Sequence, residues 1–255
     1  MVAAFICHPG IVFTFSIILA ALAASFTLAS GNIINDIYDV EIDKINRSLR
    51  PLPSGKISYK EAIAIYIIFL LLSLILSWFI NPLAFIIVII TSLVLFLYSK
   101  YLKRIPLVGN ITVAFLTGIV FIYGGIAVEN YETAIIPALF AFLINLIREI
   151  VKDMQDVKGD EKAGAVSFPI KYGLQKSKIL SLVVSILLII LTVYPFIFQL
   201  YKIEYFIIVM VIVNPLLIYS VKILFEDHSE KNLIKISNIL KLNMIFGLIA
   251  IFVGV

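Results

Sequence analysis

Residues 61–80 read EAIAIYIIFLLLSLILSWFI, twenty positions with a single charge, Glu61, at the start. A helix needs about 20 mostly apolar residues to cross the hydrocarbon core of a bilayer, whereas a barrel strand shows about ten alternating ones. The run therefore predicts a transmembrane helix. Seven similar runs predict further spans, near residues 10–34, 83–98, 107–128, 133–151, 178–199, 203–221 and 233–254.

The composition agrees with eight membrane spans. Hydrophobic residues make up 62% of the 255 positions and charged residues only 14%, against about 25% in a soluble domain. So few charges cannot cover a soluble globule of this size, which excludes that class as well as a disordered chain. The single cysteine, Cys7, excludes an internal disulfide. We expect an all-α polytopic membrane protein, a helix bundle in which residues 1–255 form one domain.

The basic residues alternate between the predicted connections. Eighteen of the 20 Lys and Arg residues lie in four of them, near residues 36–60, 99–106, 152–178 and 222–241. The intervening turns carry only Lys202. By the positive-inside rule, the four basic connections face the cytoplasm of a cell membrane. The short apolar segment Met1–Gly10 has no charged region typical of a signal peptide, and it resembles the end of a helix whose beginning is missing.

Two acidic motifs with the same spacing lie at cytoplasmic ends of spans. The members of the first are Asp36, Asp39 and Asp43, preceded by Asn35, and those of the second are Asp153, Asp156 and Asp160. On a helix, positions i, i+3 and i+7 share one face, so each motif predicts a column of oxygen ligands. The alternative is that these are ordinary solvated acids. Two copies in equivalent places favour a functional role.

Carboxylates without His or Cys suit Mg²⁺, whose remaining ligands are water and phosphate. Three like charges on one face also repel one another, and a bound cation would relieve that repulsion. If the columns face each other, two metal ions would fit one diphosphate and neutralise charge on the leaving group. The sequence thus predicts a magnesium and diphosphate site at the cytoplasmic surface.

Basic residues near the motifs suit a phosphate partner. Arg50 follows the first motif within the Pro- and Gly-containing loop 46–55, and its guanidinium can pair with two phosphate oxygens. Lys103 belongs to the next basic connection. The alternative explains both residues equally well: their positive charges would only keep these loops on the cytoplasmic side of the membrane. Tyr98 could stack on a carbocation, although aromatic residues are common at membrane interfaces anyway.

These motifs resemble the signatures of the UbiA superfamily of intramembrane prenyltransferases. Asn35–Asp43 followed by Arg50–Gly55 is similar to the first signature, and Arg148–Asp160 to the second. The resemblance implies nine helices around a central cavity, of which this chain shows eight, with the first truncated or missing. A recurring Tyr-Ser pair, at Tyr98 and Tyr219, suggests two repeats of four helices.

The resemblance also implies an activity and its ligands. Two Mg²⁺ ions would hold an isoprenyl diphosphate, one bound by the first motif with Asn35 and the other by the second. Arg47, Arg50 and Lys103 would contact the diphosphate, and Tyr98 the prenyl substrate. The second motif and Tyr98–Asn110 are most similar to archaeal digeranylgeranylglyceryl phosphate synthases. That group alkylates the free hydroxyl of geranylgeranylglyceryl phosphate with a geranylgeranyl group, forming an ether-lipid bond.

Two other functions remain open from the sequence. An aromatic prenyltransferase of quinone or haem biosynthesis would share every metal ligand and differ only in its acceptor pocket. A cation-coupled transporter is a different class, and it would place ionisable residues near the centres of the spans. Here the acids cluster at the ends of the spans, which favours the enzyme.

Overall fold

The structure, a computed structural model, describes residues 2–8, 14–162 and 166–255, which form helices and turns without a β-strand. The α-helices are α1 Val2–Cys7, α2 Phe15–Asn46, α3 Tyr59–Trp78, α4 Pro82–Lys100, α5 Val108–Ala127, α6 Ile135–Lys162, α7 Phe168–Tyr172, α8 Leu174–Ile197, α9 Ile203–Ile208, α10 Asn214–Glu226 and α11 Glu230–Gly254. A π-helix, Val209–Val213, joins α9 to α10.

Eight helical segments within the described ranges are long and apolar enough to cross a membrane. This confirms the predicted number of spans and the multi-pass membrane class. The first predicted span begins at residues 10–13, which lie outside the described residues. Its described part starts at Phe15.

Two of the helices continue well past the predicted ends of their spans. Helix α2 reaches Asn46, twelve residues beyond the predicted boundary, and α6 reaches Lys162, eleven beyond it. Hydropathy marks only the part of a helix that suits hydrocarbon, whereas the backbone hydrogen bonds continue into polar sequence. Both acidic motifs therefore lie on the last turns of long helices, as their spacing predicts.

The chain divides into two compact units, the first of which comprises Met1–Lys103 and Tyr123–Tyr131. Helix α2 packs against both α3 and α4 in this unit. Gly31 permits the approach of α4, because a Cβ atom there would lie 2.9 Å from the side chain of Leu95. A capping box begins α3: the Ser58 hydroxyl accepts from the Glu61 amide, and the Glu61 carboxylate accepts from the Ser58 amide.

The second unit comprises Arg104–Ile122 and Glu132–Val255. Helix α6 contacts α8 and α11, and α11 also contacts α10. The core beside the second motif is aliphatic, with Ile150, Val151, Leu217 and Leu240 almost fully buried. This packing holds the end of α6, and with it Asp153, in a fixed place.

Candidate active site

Helix α2 presents the first acidic motif on one face. The Asn35 side chain donates to Asp39 Oδ2 at 3.0 Å, as expected for residues four apart on a helix. Asp43 is the most buried of the three acids, with 8% of its side chain exposed, whereas Asp36 is 39% exposed. The column thus runs from a half-exposed carboxylate to an almost buried one.

Arg50 neutralises two members of this column. Its Nη1 atom lies 2.7 Å from Asp36 Oδ1 and 2.6 Å from Asp43 Oδ2. Two carboxylates seven residues apart therefore converge on one nitrogen. The guanidinium thus gives both acids a shared positive partner.

The loop after α2 holds Arg50 in this position. Its backbone closes through hydrogen bonds from Ser54 to the Arg50 carbonyl, 3.0 Å, and from Ile57 to the Pro51 carbonyl, 3.2 Å. Gly55 has a φ of +74°, a left-handed conformation that disfavours other residues. The proline and glycine residues therefore favour this loop conformation. In it, the Arg50 guanidinium contacts the carboxylates of α2.

Lys103 neutralises the remaining acid from another direction. It lies in the 3₁₀ turn Leu102–Arg104 after α4, and its Nζ donates to Asp39 Oδ1 at 2.6 Å and to Asn35 Oδ1 at 2.9 Å. Its side chain is only 14% exposed. The pairing places a second positive charge on the same helix face.

The second motif has a different environment. Asn110, in the first turn of α5, donates to Asp153 Oδ2 at 3.0 Å, and the adjacent Glu149 pairs with Arg148 at 2.7 Å. Among the described side chains, none forms an ion pair with Asp153, Asp156 or Asp160. The positive charge near this column comes from Lys152 on the same helix, which acts on both Asp153 and Asp160.

The outer part of the second motif is accessible. Asp156 is exposed and Asp160 is partly buried. Burial raises the pKa of Asp160 above its usual range, and the negative charge of Asp156 adds to the rise. A cation bound at this end of α6 would lower that pKa again, because it favours the charged carboxylate.

The described residues contain no group of three or more His, Cys, Asp and Glu side chains already arranged to hold a metal ion. The donor set nevertheless fits Mg²⁺. The first motif brings pairs of oxygen atoms to within 2.6–2.9 Å of two cationic nitrogens. The oxygen atoms of the first motif thus converge on two positive charges, as carboxylate and amide oxygens also do on Mg²⁺.

Two other residues were predicted to belong to the site, Arg47 and Tyr98, and the structure shows where they lie but not what they bind. Arg47 ends α2, its amide donating to the Asp43 carbonyl at 2.8 Å, and its side chain is exposed. Tyr98 is half-buried in the last turn of α4. Their contacts with substrate remain predictions.

Asn110 is the site residue that sequence reasoning did not single out. It is 8% exposed and pairs with the most buried acid of the second motif. The available signals were its place at the end of the stretch Tyr98–Asn110, which resembles the synthases, and a polar residue at the start of an apolar helix. That pattern is common at helix ends, so it does not by itself distinguish a site residue.

Comparison with known proteins identifies the family of this chain. The family model of the UbiA prenyltransferases matches residues 1–245. The chain belongs to the UbiA prenyltransferase family. Among UbiA relatives, the digeranylgeranylglyceryl phosphate synthase of Methanocaldococcus jannaschii is 42% identical over 241 residues, covering 93% of this chain and 83% of the relative.

Solved UbiA structures share this fold. A solved structure from work on a digeranylgeranylglyceryl phosphate synthase superposes with a TM-score of 0.89 at 39% identity, covering 99% of this chain and 90% of that one. A UbiA homologue from Archaeoglobus fulgidus, solved with DMAPP and Mg²⁺, superposes with a TM-score of 0.67 at 23% identity, covering 98% and 93%. The predicted resemblance to this family, and with it the fold class, is confirmed.

Proposed function

We propose that this UbiA protein transfers a geranylgeranyl group from geranylgeranyl diphosphate to the free glycerol hydroxyl of geranylgeranylglyceryl phosphate, as a digeranylgeranylglyceryl phosphate synthase does. The observation that carries the proposal is the convergence of first-motif carboxylates on two cation positions, in a chain similar over more than 90% of its length to synthases of that name. Residues 1–255 act as one catalytic domain.

In this proposal the acidic residues bind the metal ions and the basic residues bind the diphosphate. Asn35, Asp36, Asp39 and Asp43 hold one Mg²⁺, and Asp153, Asp156 and Asp160 hold the other, with Asn110 orienting Asp153. Bound Mg²⁺ neutralises charge on the diphosphate. Arg50 and Lys103, freed from the carboxylates, donate to the diphosphate oxygens and stabilise the leaving group. Arg47 adds positive charge, and Tyr98 contacts the prenyl chain.

The transfer forms one carbon–oxygen bond and breaks a carbon–oxygen and an oxygen–hydrogen bond, and the oxygen atoms of the departing diphosphate can accept the proton. The bond between the allylic carbon and the diphosphate oxygen breaks, leaving diphosphate and a delocalised allylic cation. The acceptor hydroxyl oxygen attacks that carbon, forms the ether and loses its proton. Apolar helices exclude water, which would otherwise intercept the cation. Both prenyl substrates reach the enzyme from the bilayer, and the motifs face the cytoplasm.

The positions of the acids favour an enzyme over a cation-coupled transporter. A transporter of that kind binds its ion near the bilayer midplane. Here the acids lie in the last turns of α2 and α6. An aromatic prenyltransferase would use the same motifs, so the acceptor has to be decided by assay.

The test is an assay of purified protein with geranylgeranyl diphosphate and Mg²⁺. Geranylgeranylglyceryl phosphate and an aromatic acid are offered side by side, and we expect product only from the glyceryl phosphate. Asp39→Ala and Asp156→Ala should each reduce turnover by roughly a hundredfold or more. Chelation of Mg²⁺ should stop the reaction, and its return should restore it.

Two control variants separate the motifs from charge in general. Glu41 is an exposed acid on α2, with 78% of its side chain accessible, and Glu161 is an exposed acid on α6. Glu41→Ala and Glu161→Ala should keep near-normal turnover. Near-normal turnover in both Asp39→Ala and Asp156→Ala would refute the metal assignment, whereas prenylation of the aromatic acid alone would refute the acceptor.

A further inference from the structure

Two polar residues of α6 continue the line of the second acidic motif into the apolar part of the helix. Glu149 precedes Asp153 by four positions and Asn145 precedes it by eight. At about 1.5 Å per residue, they lie roughly 6 Å and 12 Å along the helix from Asp153, away from its cytoplasmic end. Both belong to the segment Glu132–Val157, which is apolar enough to cross a membrane. The polar face of α6 thus extends inward beyond the predicted metal ligands.

Glu149 is a charged side chain at this depth, and only one of its two carboxylate oxygens has a partner. Its Oε1 atom accepts from Arg148 Nη1 at 2.7 Å, and 13% of its side chain is exposed. Its Oε2 atom makes no hydrogen bond to the part of the chain that the structure describes. Ionisable residues within membrane spans are costly and usually have a functional role. Oε2 is therefore an acceptor that a ligand can use.

The negative charge of Glu149 also acts on Asp153, one helical turn away. In the proposed function, the second motif holds a metal ion and the diphosphate at the end of α6, and the prenyl chain extends from them into hydrocarbon. The acceptor oxygen has to come within about 3.5 Å of the allylic carbon before the new bond forms. That carbon lies on the hydrocarbon side of the diphosphate, and Glu149 lies on the hydrocarbon side of Asp153.

We propose that Glu149 binds the free hydroxyl of the acceptor lipid, which donates its hydrogen to Oε2. The inference rests on the proposed function, from which it takes the acceptor. A carboxylate forms a stronger hydrogen bond with a hydroxyl than a neutral acceptor does. The bond positions the oxygen for attack, and the departing diphosphate still takes up the proton. An acceptor without this hydroxyl leaves the carboxylate oxygen unpaired, so Glu149 selects for alcohols.

The test measures the equilibrium binding of two ligands to the full chain in detergent micelles, with Mg²⁺ and inorganic diphosphate in place of the prenyl diphosphate. One ligand is geranylgeranylglyceryl phosphate, and the other is its deoxy analogue, in which hydrogen replaces the free hydroxyl. The wild-type protein should bind the hydroxyl compound roughly tenfold more tightly than the analogue. Glu149→Leu should reduce this ratio of affinities to about one, because leucine cannot accept the hydrogen bond. Glu149→Gln should give a ratio of about three, because its amide oxygen accepts without a charge.

Glu161→Leu is the matched control, since Glu161 is an exposed acid on the same helix, and it should keep the wild-type ratio. A carboxylate that served only an ion pair or a metal ion would affect both ligands alike. An unchanged ratio in Glu149→Leu would therefore overturn the inference. If Glu149→Leu does not fold, an unchanged ratio in Glu149→Gln overturns it. Failure of the wild-type protein to bind either ligand would instead refute the proposed acceptor, so the two failures are distinct.

Discussion

Arg50 exchanges one set of partners for another if the proposed function is right. Its Nη1 atom lies between Asp36 and Asp43, at 2.7 and 2.6 Å. In the proposed function the same oxygens would hold a metal ion, so the guanidinium would compete with the metal. Once a metal with diphosphate binds, the carboxylates are neutralised and Arg50 is released to the phosphate oxygens. Metal and diphosphate should therefore bind cooperatively.

This exchange predicts opposite effects of Arg50→Gln on the two ligands. Affinity for Mn²⁺ alone, a spectroscopic substitute with the same preference for oxygen, should rise roughly tenfold, because a charge-assisted competitor has been removed. Affinity for the prenyl diphosphate should fall by a similar factor. Electron paramagnetic resonance measures the first quantity and equilibrium binding the second.

Arg50→Lys is the control for charge, since lysine still neutralises the acids but cannot pair with two oxygens in the same way. It should bind Mn²⁺ alone about as weakly as the wild-type protein. If Arg50→Gln leaves the affinity for Mn²⁺ alone unchanged, the competition between guanidinium and metal does not exist.

At the scale of elements, the loop between α2 and α3 brings the Arg50 side chain back to the carboxylates at the end of α2. The first motif is a feature of α2 alone, but Arg50 returns to it because the chain turns back through backbone hydrogen bonds at Ser54, Gly55 and Ile57. The capping box at Ser58 then begins α3. The loop thus positions a side chain as well as connecting two spans.

Gly55→Val should disturb this loop and leave the helices intact. A branched side chain is disfavoured at a φ of +74°, at a cost of about 1–2 kcal/mol. No atom lies within 4 Å of the added Cβ, so any effect comes from the backbone. We expect a several-fold weaker affinity for prenyl diphosphate at an unchanged helix content by circular dichroism.

Gly55→Asn provides the matched comparison, because asparagine adopts left-handed conformations more readily than valine. Its affinity should lie between those of the wild-type protein and Gly55→Val. Equal affinities in all three proteins would show that the loop conformation does not position Arg50.

For the whole molecule, the arrangement of charge predicts the orientation in the membrane. The four basic connections should face the cytoplasm, and with them both acidic motifs. Leu49, 89% exposed, belongs to a basic connection, and Leu200, 52% exposed, lies in the turn before Lys202. The native Cys7 is buried, which keeps background labelling low.

Single cysteines at these two positions test the orientation. In intact cells, a membrane-impermeant thiol reagent should label Leu200→Cys but not Leu49→Cys, and inverted vesicles should give the reverse. A Cys7→Ser background removes residual labelling. Labelling of both variants from the same side would contradict the eight-span alternation. The additional first helix and the four-helix repeats stay predictions.

The amino-acid sequence by itself determined the eight spans, the helical columns of carboxylates and the type of metal they suit. These features depend on hydropathy over about 20 residues and on the 3.6-residue period of a helix, both of which are local. Hydropathy gave only the ends of the apolar spans, and α2 and α6 continue beyond them through the acidic motifs, as the spacing of those motifs predicts.

Only the tertiary structure decided which groups meet. Lys103 reaches Asp39 across 64 positions and Asn110 reaches Asp153 across 43. The physical reason is that such contacts depend on how helices pack and where loops turn. The periodicity of a single helix therefore predicts which carboxylates share a face. The packing of the helices and loops determines which Lys or Arg side chains pair with them.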